Sequence, residues 1–143
     1  MTKFDKKFFE VARGVSQLSD FSRTKVGCIV VDGKRILSSG YNSNKTNPTQ
    51  QRYNYYRNID VRFPAKVHAE VSALNSLIGK KEIDFSRLKV FVYRELKDGT
   101  PACARPCASC IRLIRDLGIS KIFYTTRDGF VEEHLKKICS FLI

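Results

Sequence analysis

The chain lacks any apolar run near the roughly 18 residues that a membrane-spanning helix needs, so no such helix and no membrane partner are expected. The charged start Met1-Thr2-Lys3-Phe4-Asp5-Lys6 carries no apolar leader segment. An intracellular, cytoplasmic location is therefore the expectation. Repeats, low-complexity tracts and linkers are missing too, with only 4 prolines and 8 glycines in 143 residues. Residues 1–143 are read as one domain, long enough to bury a core. Acidic residues are scarce, at 14 against 26 Lys and Arg, and the net charge of +12 favours an anionic partner such as a nucleotide phosphate or a polynucleotide. A solvated basic surface accounts for the same charge. The pattern of 5 cysteines, an odd number with positions 103, 107 and 110 crowded together, is a poor one for a disulfide framework. In a reducing compartment such a cluster points to metal binding or catalysis.

What is present is 43% hydrophobic and 28% charged, an ordinary globular balance that argues against disorder. Phe4, Phe8, Phe9, Val11, Ala12, Val15 and Leu18 recur at helical spacing and predict a first helix over 3–18. Val26–Val31 and Arg35–Ser38 flank Asp32-Gly33, a hairpin signal. Asn42–Pro64 is polar and predicts a long loop. Val67, Val71, Leu74 and Leu77 predict a helix stopped by Gly79. Leu88–Tyr93 is rich in strand formers, Cys107–Leu117 predicts a helix ended by Gly118, Ile119–Thr125 a strand and Val131–Phe141 a final helix. Helices alternating with strands predict an α/β layer structure, with a mixed sheet that begins as a hairpin and continues in parallel.

Two segments carry chemistry, His68-Ala69-Glu70 and Pro106-Cys107-Ala108-Ser109-Cys110, and each opens a predicted helix. Cysteines three apart share one helix face, and in a first turn the unpaired N–H groups and the dipole favour thiolates, the form that binds zinc. Pro106 suits a helix start. His68 supplies a third ligand, and three protein ligands leave open the position that a catalytic zinc keeps for activating water. Glu70, two residues beyond His68, is expected beside that position, able to take and give a proton. These groups suit hydrolysis of an exocyclic amine from an amidine-like ring carbon.

The paired segments resemble the signature of the cytidine-deaminase-like zinc deaminases. Arg23–Val31 and Ile36–Asn42 are similar to the first hairpin of the CMP/dCMP (deoxycytidylate) branch, and Gly118–Tyr124 to the strand after its cysteine helix. The resemblance spans about Ser22 to Asp128. It implies a three-layer α/β/α fold with a mixed, mostly parallel central sheet, and a Zn2+ cofactor held by His68, Cys107 and Cys110. It implies Glu70 as proton shuttle, Asn42 as a contact to the substrate's sugar or base, and Ala69 as the position whose backbone faces the base. It also implies assembly into a homo-oligomer. Arg105 departs from the acidic residue that precedes this proline in tRNA adenosine deaminases.

The first reading is deamination of a cytosine nucleotide to its uracil form, with Lys45, Arg52, Arg57 or Arg62 meeting the phosphate. The second is a polynucleotide cytosine or adenine deaminase. For it, the Tyr- and Arg-rich segment Gln51–Phe63 would stack bases, although the same tyrosines could instead pack on the core. The third is a non-enzymatic zinc module, built on a closed Cys₃His set of Cys103, Cys107, Cys110 and His68, in which Glu70 has no task. Cys28 reads as a small core filler and His134 as a surface helix residue. Cys139 has no assigned role, and loss of Ser109 is expected to be mild.

Overall fold

A computed structural model describes residues 2–21, 23–62 and 65–136. Helix α1 (Lys3–Ser16) opens on a capping box, in which Thr2 Oγ1 accepts from Asp5 N at 3.1 Å and Asp5 Oδ2 accepts from Thr2 N at 3.0 Å. Strands β1 (Thr24–Asp32) and β2 (Arg35–Tyr41) form the expected hairpin, with Gly33 at φ 62° in the two-residue turn. Helix α3 (Ala69–Asn75), strand β3 (Leu88–Leu96), helix α4 (Ala108–Asp116) and strand β4 (Lys121–Thr126) follow.

The strands make one sheet in the order β2-β1-β3-β4, closed at its far edge by β5 (Gly129–His134). Its residues alternate between two cores, as period-2 geometry requires. Ile29, Val31, Phe91 and Phe123 pack with Phe8, Phe9 and Ala12 of α1. Cys28, Val30, Val90, Val92 and Ile122 pack with α3 and α4 on the other face. The result is the expected three-layer α/β/α arrangement around a mixed sheet.

Three expectations are corrected. The sheet is not mostly parallel: β3–β4 is parallel, while β1–β2, β1–β3 and β4–β5 are antiparallel. The reason is topological. β3 pairs with β1, the first arm of the hairpin, and not with β2, so the crossover through α3 returns antiparallel to its neighbour. Residues 131–134 are strand, not helix, because Arg127-Asp128 makes a tight turn that returns the chain along β4 from Gly129. His134 is thus an exposed strand residue, and 137–143, with Cys139, lie outside the described residues. Finally, the 42–64 segment is not a plain loop. Asn47 Oδ1 accepts from Gln50 N at 3.0 Å and Pro48 fills the first helical position, which starts helix α2 (Pro48–Tyr53). A 3₁₀ turn, Asn54–Arg57, continues it.

Candidate metal centre and active site

His68 and Cys107 stand in the same structural position. Each is the extended residue capping the start of a helix, at φ −82°, ψ 158° and φ −69°, ψ 172°. Both helices lie on one face of the sheet, so their starts converge. Cys110 joins from the first turn of α4. His68 Nδ1 is 3.4 Å from Cys107 Sγ and 3.5 Å from Cys110 Sγ, and the two sulfurs are 3.7 Å apart. A tetrahedral zinc with Zn–S near 2.3 Å and Zn–N near 2.05 Å calls for S–N and S–S separations of about 3.5 and 3.8 Å. The donor set fits zinc in both chemistry and spacing, and the three residues are placed to bind a metal ion. Cys103 is exposed and outside this group, so the described residues form no closed Cys₃His set.

The cluster opens on a cavity of about 430 Å³. Glu70, 5% exposed, contributes the only carboxylate among the described lining residues. Burial holds its carboxyl above the ordinary range, against the lowering effect of nearby His68. The sulfurs behave as a pair. The hydrogen bond from the Cys110 thiol, and then that from His68, bring Cys107 down to about 3 against the cost of burial. Cys110 is pushed well up by its bond to Cys107 and by burial. A zinc that binds both sulfurs takes them as thiolates and releases their protons. Burial tends to lower His68, but its bond to Cys107 and the charge of Glu70 outweigh that and raise it. Cys28 is a fully buried neutral thiol in the core beneath the site.

Of the other expected contacts, Asn42, Ala69 and Arg57 line the cavity, whereas Lys45, Arg52 and Arg62 do not. Asn42 is held against β1: its Oδ1 accepts from Val26 N at 3.0 Å and its Nδ2 donates to Thr24 O at 3.1 Å. Arg62 is engaged with Asp60 two residues away, and Arg52 lies over Tyr53 outside the site. A residue turned onto a neighbouring carboxylate or ring cannot be told from a free cation by composition alone. The cavity instead gathers Lys66, Arg94 and Arg105, which the sequence reading missed. Lys66 is two residues from His68. Arg94 is the first charged side chain after the apolar run of β3, a break that marks where the strand leaves the core. Arg94 is fixed by donating to Thr24 Oγ1 at 3.0 Å and to Cys103 O at 3.1 Å.

Arg105 is neutralised. Its Nε and Nη2 donate to the two oxygens of Glu133 at 2.9 and 2.8 Å, and Tyr124 OH donates to the same carboxylate at 2.9 Å. The hydrogen bonds from Arg105 bring Glu133 from 4.5 down to about 2. Because the folded value is depressed, the stabilisation is present in full above about 4.5 and lost as the pH falls toward 2. The pair is partly exposed to solvent, so its contribution is at most ~1 kcal/mol. The acid limb of the unfolding curve of Glu133→Gln is expected to flatten slightly; a superimposable limb would show that the pair adds nothing.

The Tyr-rich segment packs on α4. Tyr53 OH donates to Asp116 Oδ2 at 2.7 Å and the Arg112 guanidinium lies 4.9 Å from the Tyr56 ring, leaving Tyr55 the most exposed at 68%.

Against known proteins, residues 2–126 match the family described as the cytidine and deoxycytidylate deaminase zinc-binding region. The chain belongs to this deaminase family. The deaminase is 29% identical to the deoxycytidylate deaminase of Mycobacterium phage D29, over 85% of this chain and 93% of that one. Among solved structures it is similar to the apo dCMP deaminase of cyanophage S-TIM5, with TM-score 0.62 and 25% identity over 88% of this chain and 86% of that one. The same phage enzyme in complex with dCMP and dUMP aligns with TM-score 0.61 and 22% identity over 96% and 99% of the two chains. The family match and the likeness to the phage D29 enzyme support a deaminase of cytidine or deoxycytidylate type. Among the described residues no helix is long and apolar enough to cross a membrane.

Proposed function

We propose that residues 1–143 act as one zinc-dependent domain that hydrolyses a cytosine nucleotide, deoxycytidylate or cytidylate in type, to its uracil form and ammonia. The observation that carries this reading is the His68–Cys107–Cys110 triad, spaced for zinc, opening on a cavity whose single carboxylate among the described residues is Glu70. When bound, zinc makes water nucleophilic near neutral pH. Glu70 takes one proton from the water that attacks C4 and delivers it to the ring N3; it then takes the second proton from the new C4 hydroxyl and delivers it to the 4-amino group, so that ammonia leaves as the C4 carbonyl forms. A buried carboxyl beside the metal-binding cluster suits both directions of transfer. Asn42, already fixed to β1, keeps a second Nδ2 hydrogen for the sugar or base, and Ala69 offers its backbone to the ring.

An anionic substrate is supported by the lining. Arg57, Lys66 and Arg94 have no carboxylate partner among the described residues. The Nη1 of Arg57 lies 3.2 Å from His68 Nε2. With Nδ1 given to a bound zinc, Nε2 would carry the ring hydrogen, and a guanidinium only donates. Two adjacent donors suit an acceptor oxygen that bridges them from the cavity side, and a 5′-phosphate supplies one. The similarity to phage deoxycytidylate deaminases supports the same choice.

Ammonia release by the zinc-loaded protein on dCMP, CMP, cytidine, dCTP and C- or A-containing oligonucleotides tests the proposal. Turnover of a monophosphate above all others is expected, and turnover of oligonucleotides alone would reject it. Arg57→Ala is expected to raise KM for dCMP by about 10–100-fold, the worth of one charge-assisted hydrogen bond. An equal rise for deoxycytidine would place Arg57 away from the phosphate.

A further inference from the structure

The segment Pro48–Arg57 does more than carry Arg57 to the cavity. On its inner side lies a polar chain shut away from solvent. Gln50, 0% exposed, accepts the main-chain N–H of His68 on its Oε1 at 3.0 Å. Its Nε2 donates to Asn54 Oδ1 at 2.9 Å. The same Asn54 oxygen accepts from Ser109 Oγ at 3.2 Å. Asn54 is 5% and Ser109 0% exposed. Ser109 sits between Cys107 and Cys110 in the first turn of α4. The chain of bonds therefore runs from the backbone of one metal-binding residue to the helical turn that carries the other two.

Burying three polar side chains is costly unless each is bonded, so a closed relay of this kind specifies one arrangement of the parts it joins. That specification is needed here. His68 and the cysteines come from different helices, and nothing covalent near the site sets their spacing. A metal-binding histidine is usually oriented by an acceptor on its free ring nitrogen. At His68 that place is taken by the Arg57 guanidinium, which cannot accept. The anchor falls instead on the main chain, through Gln50.

We propose that Gln50 is a positioning residue for the metal centre: through Asn54 and Ser109 it holds His68 in register with Cys107 and Cys110, and metal retention depends on it. This rests on the reading of those three residues as zinc ligands. Loss of a partner that orients a metal ligand typically weakens metal binding about 10–100-fold.

The test is zinc transfer from the loaded full-length protein to excess 4-(2-pyridylazo)resorcinol, followed by absorbance, with melting temperatures measured in parallel. Gln50→Met, which keeps the volume and removes both bonds, is expected to weaken zinc binding about 10–100-fold. Tyr53→Phe is the comparison, because it cuts the bond of the same segment to Asp116 at the far end of α4. It is expected to lower the melting temperature while releasing zinc like the parent protein. Equal retention by Gln50→Met and the parent protein overturns the proposal while leaving the zinc reading intact; a parent protein that takes up no zinc overturns both. Should Gln50→Met not fold, Asn54→Ala decides by the same release, since it strips Gln50 of its own anchor, and retention at the parent level overturns the proposal.

Discussion

Replacing Glu70 by glutamine is expected to lower kcat by about 10²–10⁴-fold with one zinc still bound. Glutamine has the shape of glutamate and disturbs the packing of a side chain that is 5% exposed very little, but it cannot carry a proton between water, ring nitrogen and leaving amine. No other carboxylate lines the cavity among the described residues, so no neighbour takes over. The measurement pairs ammonia release with metal content. A variant that keeps its zinc and turns over within a few-fold of the parent would remove Glu70 from the proton transfers; one that loses its zinc would make it a support for the metal.

Gly40→Ala is the second large effect, and it acts on the fold. A Cβ at position 40 would run into the backbone of α3, against Ala73 N, at 2.6 Å from Ala69 O and 2.8 Å from the Cβ of Ser72. Backbone of a packed helix does not yield as a flexible side chain does. The helix must move off β2, and with it go Glu70 and the residue that precedes the helix, His68. Overpacking of this kind typically costs ~1–3 kcal/mol, and the contact with main chain puts this case at or above the upper end. The expectation is a lower melting temperature together with impaired zinc retention. An alanine variant that melts like the parent would mean that α3 does not sit this close to the sheet.

How much of this was legible beforehand follows from the reach of each signal. The gathering of His68, Cys107 and Cys110 was, because His68-Ala69-Glu70 and Pro106–Cys110 write chemistry into short stretches whose geometry is local: a helix start and a three-residue spacing. The hairpin was, through Asp32-Gly33. The β5 strand was misread because Val131 and Leu135 are four apart and satisfy a helical period, while the strand depends on pairing with β4, a partner that only the folded chain supplies. The 48–57 segment was misread as loop because it is two short turns, below the length at which periodicity speaks. Its start signal, Asn47-Pro48, was present. The cavity cations were the hardest to see. Arg62 and Arg57 are alike in sequence, and only tertiary contacts turn one onto Asp60 and the other toward His68.

The distance along the chain between the ligands has a consequence for how the protein behaves outside the reaction. His68 and Cys107 are 39 residues apart, and only Cys107 and Cys110 are neighbours in an unfolded chain. Closing a segment of that length costs about 3 kcal/mol of chain entropy, which the folded sheet and helices have already met. Zinc therefore binds the native chain far better than the unfolded one, and by mass action native stability rises with the logarithm of free zinc above the dissociation constant. The melting temperature of this deaminase is thus a property of the solution's zinc activity as much as of its sequence, and two preparations can be compared only at the same free metal.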